Sequence, residues 1–188
     1  LVFGKHVYPK SVYTQGIENV SLKDVDTANS LGYAVKLIAS VKESENDKIM
    51  PAVMPMLVPY SNLMSHVDDV FNACLVTGNG FDKILFYGRG AGKFPTASAV
   101  LGDVIDCVKH KITVFSQSWD SSSDDSFIDS IDNFKAKWYV RTDSDTDMSA
   151  YNIENKIECD GETSYIISEI TFAEAKKIKA KALFAVLD

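Results

Sequence analysis

The segment ILFYGRGAGKFPTASAVLGDVIDCVK, residues 84–109, joins three predicted elements in one stretch. Its apolar start, residues 84–87, predicts a buried strand, and the glycines at 88, 90 and 92 predict a tight turn. Pro95 suits the first position of a helix that follows at once. The apolar side chains of this helix recur at helical spacing, at Ala97, Val100, Leu101, Val104, Ile105 and Val108. A strand, a glycine turn and a helix in this order direct backbone N–H groups and the positive end of a helix dipole at an anion.

The glycine turn matches neither of two common phosphate-binding motifs. Pro95 stands where the dinucleotide fingerprint, counted from Gly90, has its third small residue. Phe94 follows Gly92-Lys93, where a P-loop has serine or threonine. Two interpretations therefore stay open: a turn that faces a phosphate, and a tight strand-to-helix connection that needs glycine only for backbone room.

Length, composition and charge limit the class of protein. A chain of 188 residues can form one domain with a sizeable core or two small ones. The net charge is −7, and with no basic stripe this argues against nucleic acid and anionic membrane as partners. The longest apolar stretch, residues 49–58, is short and interrupted by prolines, so neither a signal peptide nor a membrane-spanning helix is predicted. We expect a soluble protein of the cytoplasm.

Neither the cysteines nor the histidines suggest a metal site. The cysteines are odd in number and far apart, which predicts neither a disulfide framework nor a zinc site, and we expect them to be thiols in the core. The histidines are isolated, with no acidic or thiol partner at ligand spacing. The residues concerned are Cys74, Cys107, Cys159, His6, His66 and His110.

The first half of the chain carries signals for a helix, two strands and a hairpin. Ser21-Leu-Lys-Asp24 is a capping box with Asp in place of the usual Glu, and Gly32 marks the end of the short helix that it starts. Residues 35–41 predict a strand. Residues 49–59 predict another, with prolines at 51, 55 and 59 whose missing N–H groups all face one side, so that this strand can pair fully along one edge only. Residues 70–77 and 83–87 predict a hairpin.

The second half predicts a separate β-rich unit. Residues 116–133, rich in serine and aspartate, are typical of a linker. Residues 134–141 alternate apolar and polar, which predicts a half-buried strand with Tyr139 and Arg141 on its polar face. Residues 153–158 and 163–168 flank the turn Asp160-Gly161, and a helix over 172–180 precedes a last strand over 183–187. The predicted fold class is α+β: a mixed sheet covered by helices on one face, followed by a small ferredoxin-like domain.

Several motifs occur together in a fixed order. They are Gly16-Ile17 with Asp26-Thr-Ala28, Leu31-Gly-Tyr-Ala-Val-Lys-Leu37, Val70-Phe-Asn-Ala73, Phe86-Tyr-Gly-Arg-Gly-Ala-Gly92, Pro95-Thr-Ala-Ser-Ala-Val100 and Asp103. On these residues the chain resembles the C-terminal part of homoserine dehydrogenase over 12–109. Residues 134–187 resemble, more weakly, the regulatory ACT domain of bacterial members, with its first helix abbreviated or absent. The opening Leu-Val-Phe-Gly has no methionine and no cap, so we expect the chain to be a fragment.

The resemblance implies a division of the chain and a role for the glycine turn. Residues 1–115 would be part of the catalytic and dimerisation domain, 116–133 a linker, and 134–188 an abbreviated ACT-like regulatory domain. Gly90, Ala91 and above all Gly92 would contact NADP or NAD, which an N-terminal domain outside this chain mainly holds. The catalytic lysine and its aspartates would precede this chain, which therefore has no catalytic residue of its own.

Three functional hypotheses follow. In the first, the chain is part of an NAD(P)-dependent enzyme that interconverts L-homoserine and L-aspartate 4-semialdehyde, works as a homodimer through the sheet of the first domain, and is inactive as this fragment. In the second, it is a non-catalytic module for dimerisation and for binding an amino-acid effector such as threonine. In the third, it is a self-contained cofactor-binding protein that relies on the glycine turn alone.

Overall fold

A mixed sheet of seven strands and a separate two-stranded hairpin make up the β-structure of the computed structural model, which describes residues 2–44, 47–110 and 124–187. The sheet contains β1 (Tyr13–Thr14), β2 (Tyr33–Glu43), β3 (Ile49–Pro59), β6 (Lys135–Asp143), β7 (Ile153–Cys159), β8 (Glu162–Thr171) and β9 (Ala182–Val186). The hairpin contains β4 (Phe71–Gly78) and β5 (Asp82–Arg89). The α-helices of the described ranges are α1 (Leu22–Ser30), α2 (Lys93–Lys109) and α3 (Phe172–Ala175).

The seven strands lie in the order β1-β3-β9-β6-β8-β7, with β2 on the other edge of β3. β3 is parallel to β1 and β9, and the other pairs are antiparallel. The predicted α+β class with a mixed sheet is therefore confirmed. Within the part of the chain that the structure describes, no helix is both long and apolar enough to cross a membrane.

The prolines of β3 explain how its two edges are used. β2 pairs with β3 along its whole length, from Tyr33 opposite Pro59 to Glu43 opposite Ile49. The other edge bonds to Gln15 through the carbonyl of Val53 and to Leu187 through the carbonyl of Leu57. Because alternate residues of a strand face the same edge, Pro55 lies between these two contacts and has no N–H to donate. This edge accepts two short strands in place of one long one, and the predicted one-sided pairing is confirmed.

Each face of the sheet carries a cluster of buried side chains and a helix that packs on it. One face holds Met54, Met56, Trp138 and Val140, on which Phe172 and Ala175 of α3 pack. The other holds Leu57, Tyr139, Ile166 and Phe184, on which Ala28 of α1 packs. The amphipathic α1 covers the face opposite to α3. The helix predicted over 172–180 ends as an α-helix at Ala175.

The compact units of the structure are divided differently from the domains expected from the sequence. The chain forms two compact units: one from residues 2–4 and 66–110, the other from residues 5–65 and 124–187. The strands after residue 134 join the strands before residue 60 because β9 inserts between β3 and β6. Of the predicted linker, residues 116–123 lie outside the described residues. The remainder is bonded to β3, since Ile49 N–H donates to the carbonyl of Phe127 and Asp129 N–H donates to the carbonyl of Ile49.

The smaller unit consists mainly of the β4–β5 hairpin and α2, and its apolar side chains are largely exposed. Phe86 in β5 is 62% exposed, so the expectation of a buried strand over 84–87 is wrong. The predicted stripe of α2 is also exposed, including Leu101 and Val104. A two-stranded sheet and one helix provide too few layers to enclose a core. For the same reason Cys74 and Cys107 are exposed, and Cys159 is exposed on the edge strand β7, which corrects the expectation of core thiols.

Candidate functional site

The glycine turn lies between β5 and α2 in the smaller unit, where the sequence predicts it. Gly92 occupies the N-cap of α2 with φ 117° and ψ 155°, a conformation that is essentially restricted to glycine. The carbonyl of Gly92 accepts from Thr96 N–H at 3.1 Å, which starts the helix. The local geometry therefore requires glycine at 92 for its backbone conformation, and helix α2 begins directly behind it.

The turn leaves backbone donors available at its surface. Gly90 N–H donates to the carbonyl of Val70 at 3.3 Å. Among the described residues, no backbone carbonyl accepts from the N–H of Ala91 or Gly92. Both residues are exposed. Free N–H groups at the N-terminus of a long helix form the kind of surface on which an anionic group binds.

Charged and aromatic side chains surround the turn. Arg89 ends β5 and lies 5.1 Å from the ring centre of Phe71, which stacks on Tyr87. Lys93 opens α2, and no acidic residue occurs in the first turn of this helix. The two cations on either side of the turn reinforce the positive potential of the helix terminus.

Asn72 on the neighbouring strand limits the size of the residue at position 90. A Cβ atom built on Gly90 would overlap the side-chain amide of Asn72, whereas one built on Gly88 would meet no atom within 4 Å. Position 90 is thus crowded by the side chain of Asn72, position 92 requires glycine for its backbone angle, and position 88 has neither constraint.

A second polar cluster lies in the larger unit, buried between α1 and the sheet. Arg141 Nε lies 2.7 Å from Asp24 Oδ1, and Arg141 Nη2 lies 3.1 Å from Asp24 Oδ2. The hydroxyl of Tyr139 donates to Asp24 Oδ1 at 2.9 Å and contacts the hydroxyl of Ser164 at 3.0 Å. Asp24 and Tyr139 are fully buried, and Arg141 is 9% exposed. Arg141 also donates to Glu162 at 2.9 Å, which continues the cluster to the surface.

The cluster keeps its ion pair charged. Burial acts to raise the pKa of Asp24, but hydrogen bonds from Arg141, Ser21 and Tyr139 outweigh it and lower the pKa below its ordinary value. The hydrogen bond to Asp24 raises the pKa of Arg141. Burial raises the pKa of Tyr139, so its phenol stays a donor. Hydrogen bonds from Lys181 and then Arg141 lower the pKa of Glu162 to about 2. Asp24 is therefore an anion held by a cation inside the protein.

Neither cluster has the composition of a metal site. Over residues 2–44, 47–110 and 124–187, no group of three or more His, Cys, Asp or Glu side chains is placed to hold a metal ion. The donors at the glycine turn are backbone N–H groups and cations, which suit an anionic ligand. The buried cluster satisfies its own charges.

The glycine turn could be predicted from the sequence, and the buried cluster around Asp24 could not. Gly90, Ala91 and Gly92 lie together because they are consecutive in one turn. The contact of Asn72 with Gly90 depends on the pairing of β4 with β5, which places Asn72 opposite Gly88. The alternation of residues 134–141 predicts Arg141 on the polar face of its strand, but α1 covers that face. The aromatic ring of Tyr139 between Lys137 and Arg141 is the only sequence signal that could have indicated burial there.

Comparison with known proteins gives consistent results. The family model described as homoserine dehydrogenase matches residues 1–105. The homoserine dehydrogenase of Corynebacterium glutamicum is 37% identical over 116 residues, which is 60% of this chain and 26% of that protein. The homoserine dehydrogenase of a Synechocystis species is 39% identical over 111 residues, which is 57% of this chain and 26% of that protein. The chain thus spans about a quarter of the length of these curated relatives.

Two solved structures share the fold over nearly the whole chain. A homoserine dehydrogenase from Thiobacillus denitrificans aligns with a TM-score of 0.75 and 24% identity over 98% of this chain and 49% of its own. A homoserine dehydrogenase from S. aureus aligns with a TM-score of 0.75 and 21% identity over 100% of this chain and 49% of its own. At these identities the alignments establish the fold, and they extend it beyond the segment that the family model covers.

Proposed function

The chain belongs to the homoserine dehydrogenase family, and on this basis we propose that it is part of an NAD(P)-dependent cytoplasmic enzyme that interconverts L-homoserine and L-aspartate 4-semialdehyde. The family match over residues 1–105 carries this proposal. The share of the relatives that lies outside the match is large enough to contain a complete nucleotide-binding domain and the catalytic groups. We infer that this chain supplies part of the substrate and dimerisation domain and one wall of the cofactor site.

The glycine turn is the part of this chain that we assign to the cofactor. The exposed N–H groups of Ala91 and Gly92, with Arg89 and Lys93 beside them, suit the pyrophosphate of a dinucleotide. Gly90 leaves room for the side chain of Asn72 on β4, which a Cβ atom at position 90 would overlap. When bound, the nicotinamide supplies hydride transfer. The residues of this turn bind and orient the cofactor and take no part in proton transfer.

Assay of the full-length protein that contains this chain tests the proposal. We expect it to reduce NAD or NADP only when L-homoserine is present, as followed by the absorbance of the reduced nicotinamide. The 188-residue chain, assayed in parallel, is expected to show no turnover. A correctly folded full-length protein that leaves homoserine unchanged with either cofactor would overturn the proposed activity. Turnover by the short chain would instead place the catalytic groups inside it.

We further propose that the protein is a homodimer and that β2 forms its interface. This strand is eleven residues long, and of the strands that the structure describes only β3 pairs with it. Leu37 and Val41 lie on the same face of β2 and are 54% and 46% exposed. A long edge strand with exposed apolar side chains is a ready site for pairing with a second copy.

Replacing Leu37 by lysine is expected to convert the dimer to a monomer, because a charge would have to be buried at the interface. Sedimentation equilibrium of the full-length protein measures this. Ile153→Lys is the matched control, since Ile153 is 40% exposed on β7 at the opposite edge of the sheet. A dimer that persists in the Leu37 variant and dissociates in the Ile153 variant would move the interface to β7.

An amino-acid effector site is the alternative role for residues 134–187. Four strands in the order β9-β6-β8-β7, with no helix between β6 and β7, support an ACT-like unit that lacks its first helix. Calorimetry with threonine, methionine and lysine tests whether it binds an effector. Heat of binding from one of the three would support the regulatory role, and its absence for all three would leave these strands with a structural role.

A further inference from the structure

The carboxylate of Asp24 in the buried cluster both caps helix α1 and attaches it to the sheet. Asp24 Oδ2 accepts from the N–H of Ser21 at 2.9 Å, and the hydroxyl of Ser21 accepts from the N–H of Asp24 at 3.3 Å. These two bonds form the capping box that begins α1. The same carboxylate binds Arg141 of β6 through both of its oxygens. The start of the helix and its attachment to the sheet therefore share a single group.

Arg141 connects this carboxylate to the far strands of the sheet. Its guanidinium also donates to Glu162 at the start of β8, and its carbonyl accepts from the N–H of Lys181 just before β9. Glu162 accepts in turn from the ammonium of Lys181 at 2.7 Å. Arg141 therefore contacts the first turn of α1 and the start of β8 through its guanidinium, and the segment before β9 through its backbone carbonyl.

We propose that Arg141 couples the end of β6 to the first turn of helix α1, and we call this coupling the interlock. While Arg141 pairs with Asp24 the first turn stays formed. Any ligand or partner that displaces the end of β6 therefore opens this turn. The physical reason is that Asp24 has no access to water in the observed fold. If Arg141 is withdrawn, the carboxylate stays buried without a counter-charge, which costs much more than opening one helical turn. The first turn then opens to hydrate Asp24, and the capping box is lost. This inference concerns a conformational coupling and does not depend on the proposed dehydrogenase activity.

Hydrogen exchange at the amides of Asp24 and Val25 tests the interlock directly, because both amides bond to Ser21 in the first turn. We expect Arg141→Met to speed their exchange by at least about tenfold while the amides of β8 change much less. Lys137→Met is the matched control, since Lys137 lies on the same strand and pairs with Glu154 at the exposed surface. It is expected to leave exchange in α1 unchanged.

A second variant separates the interlock from simple loss of packing. In the double variant Asp24→Asn with Arg141→Met no buried charge remains, so exchange in the first turn is expected to be slower than in Arg141→Met alone. If Arg141→Met does not fold, Arg141→Lys takes its place. It is expected to speed exchange in the first turn of α1 by a smaller factor, because a lysine keeps the charge and loses the paired contact. Equal acceleration over α1 and β8, or a double variant that exchanges as fast as Arg141→Met, would overturn the proposal.

Discussion

Gly92→Ala in the full-length protein is expected to raise the KM for the nicotinamide cofactor by at least about tenfold, with little change in the KM for homoserine. At φ 117° and ψ 155° an alanine costs on the order of 1–3 kcal/mol of backbone strain. The turn relieves this strain by rotating the peptide between residues 91 and 92. That rotation moves the N–H of Gly92 away from its present direction, so an anion in front of the turn loses a donor.

Two neighbouring glycines provide controls for this substitution. Gly88→Ala is expected to leave the cofactor KM unchanged, because its Cβ would meet no atom within 4 Å. Gly90→Ala is expected to raise the cofactor KM by less than Gly92→Ala does, since its Cβ displaces only the flexible side chain of Asn72. The KM is measured in steady-state assays at saturating homoserine. A wild-type cofactor KM in the Gly92 variant would contradict the assignment of the glycine turn to the cofactor site. The same rise for Gly88→Ala would point to general disruption of the hairpin.

Local features of this fold could be predicted because their causes are local. The turn at Gly92 needs glycine for a backbone angle, the capping box at Ser21 needs a hydroxyl and a carboxylate three residues apart, and the hairpin at Asp160-Gly161 needs positive φ at both positions. Each requirement involves residues close together in the chain. The sequence therefore contains the whole signal.

Pairing between distant strands could not be predicted in the same way. Nothing in residues 182–186 specifies β3 as a neighbour, because an apolar strand fits beside many others. The insertion of β9 between β3 and β6 is what merges two predicted domains into one sheet. The composition of residues 116–133, rich in serine and aspartate, is typical of a linker, although the strands on both sides of it share a core.

The buried cluster was missed for a related reason. Alternation along residues 134–141 indicates which side chains share a face, but it cannot indicate whether the polar face is later covered. Tyr139 and Asp24 are 115 positions apart, and only the packing of α1 on the sheet brings them together. Asp24 was correctly predicted in the capping box, yet its second partner, Arg141, lies outside the reach of any local pattern.

The shared sheet leads to the prediction with the largest expected effect on stability. A chain cut between residues 123 and 124 gives two pieces, and we expect that neither folds cooperatively by itself. The first piece loses five large side chains that are almost fully buried: Trp138, Tyr139, Ile166, Ile167 and Phe184. At roughly 1.5–3 kcal/mol for each, the burial of these side chains contributes on the order of 7–15 kcal/mol to the stability of the intact sheet. That is as large as the net stability of a typical domain, which is about 5–15 kcal/mol.

The second piece, residues 124–187, loses the other side of the same core, including Met54, Met56 and Leu57 of β3. Thermal unfolding followed by circular dichroism is expected to show no sigmoidal transition for either piece alone. Co-expression of the two pieces is the matched control, because the cut breaks no strand that the structure describes, and the transition is expected to return. A cooperative transition in residues 124–187 alone would mean that these strands are a self-contained domain. The sheet would then be held together by docking of two folded parts, which would support a domain boundary near residue 134.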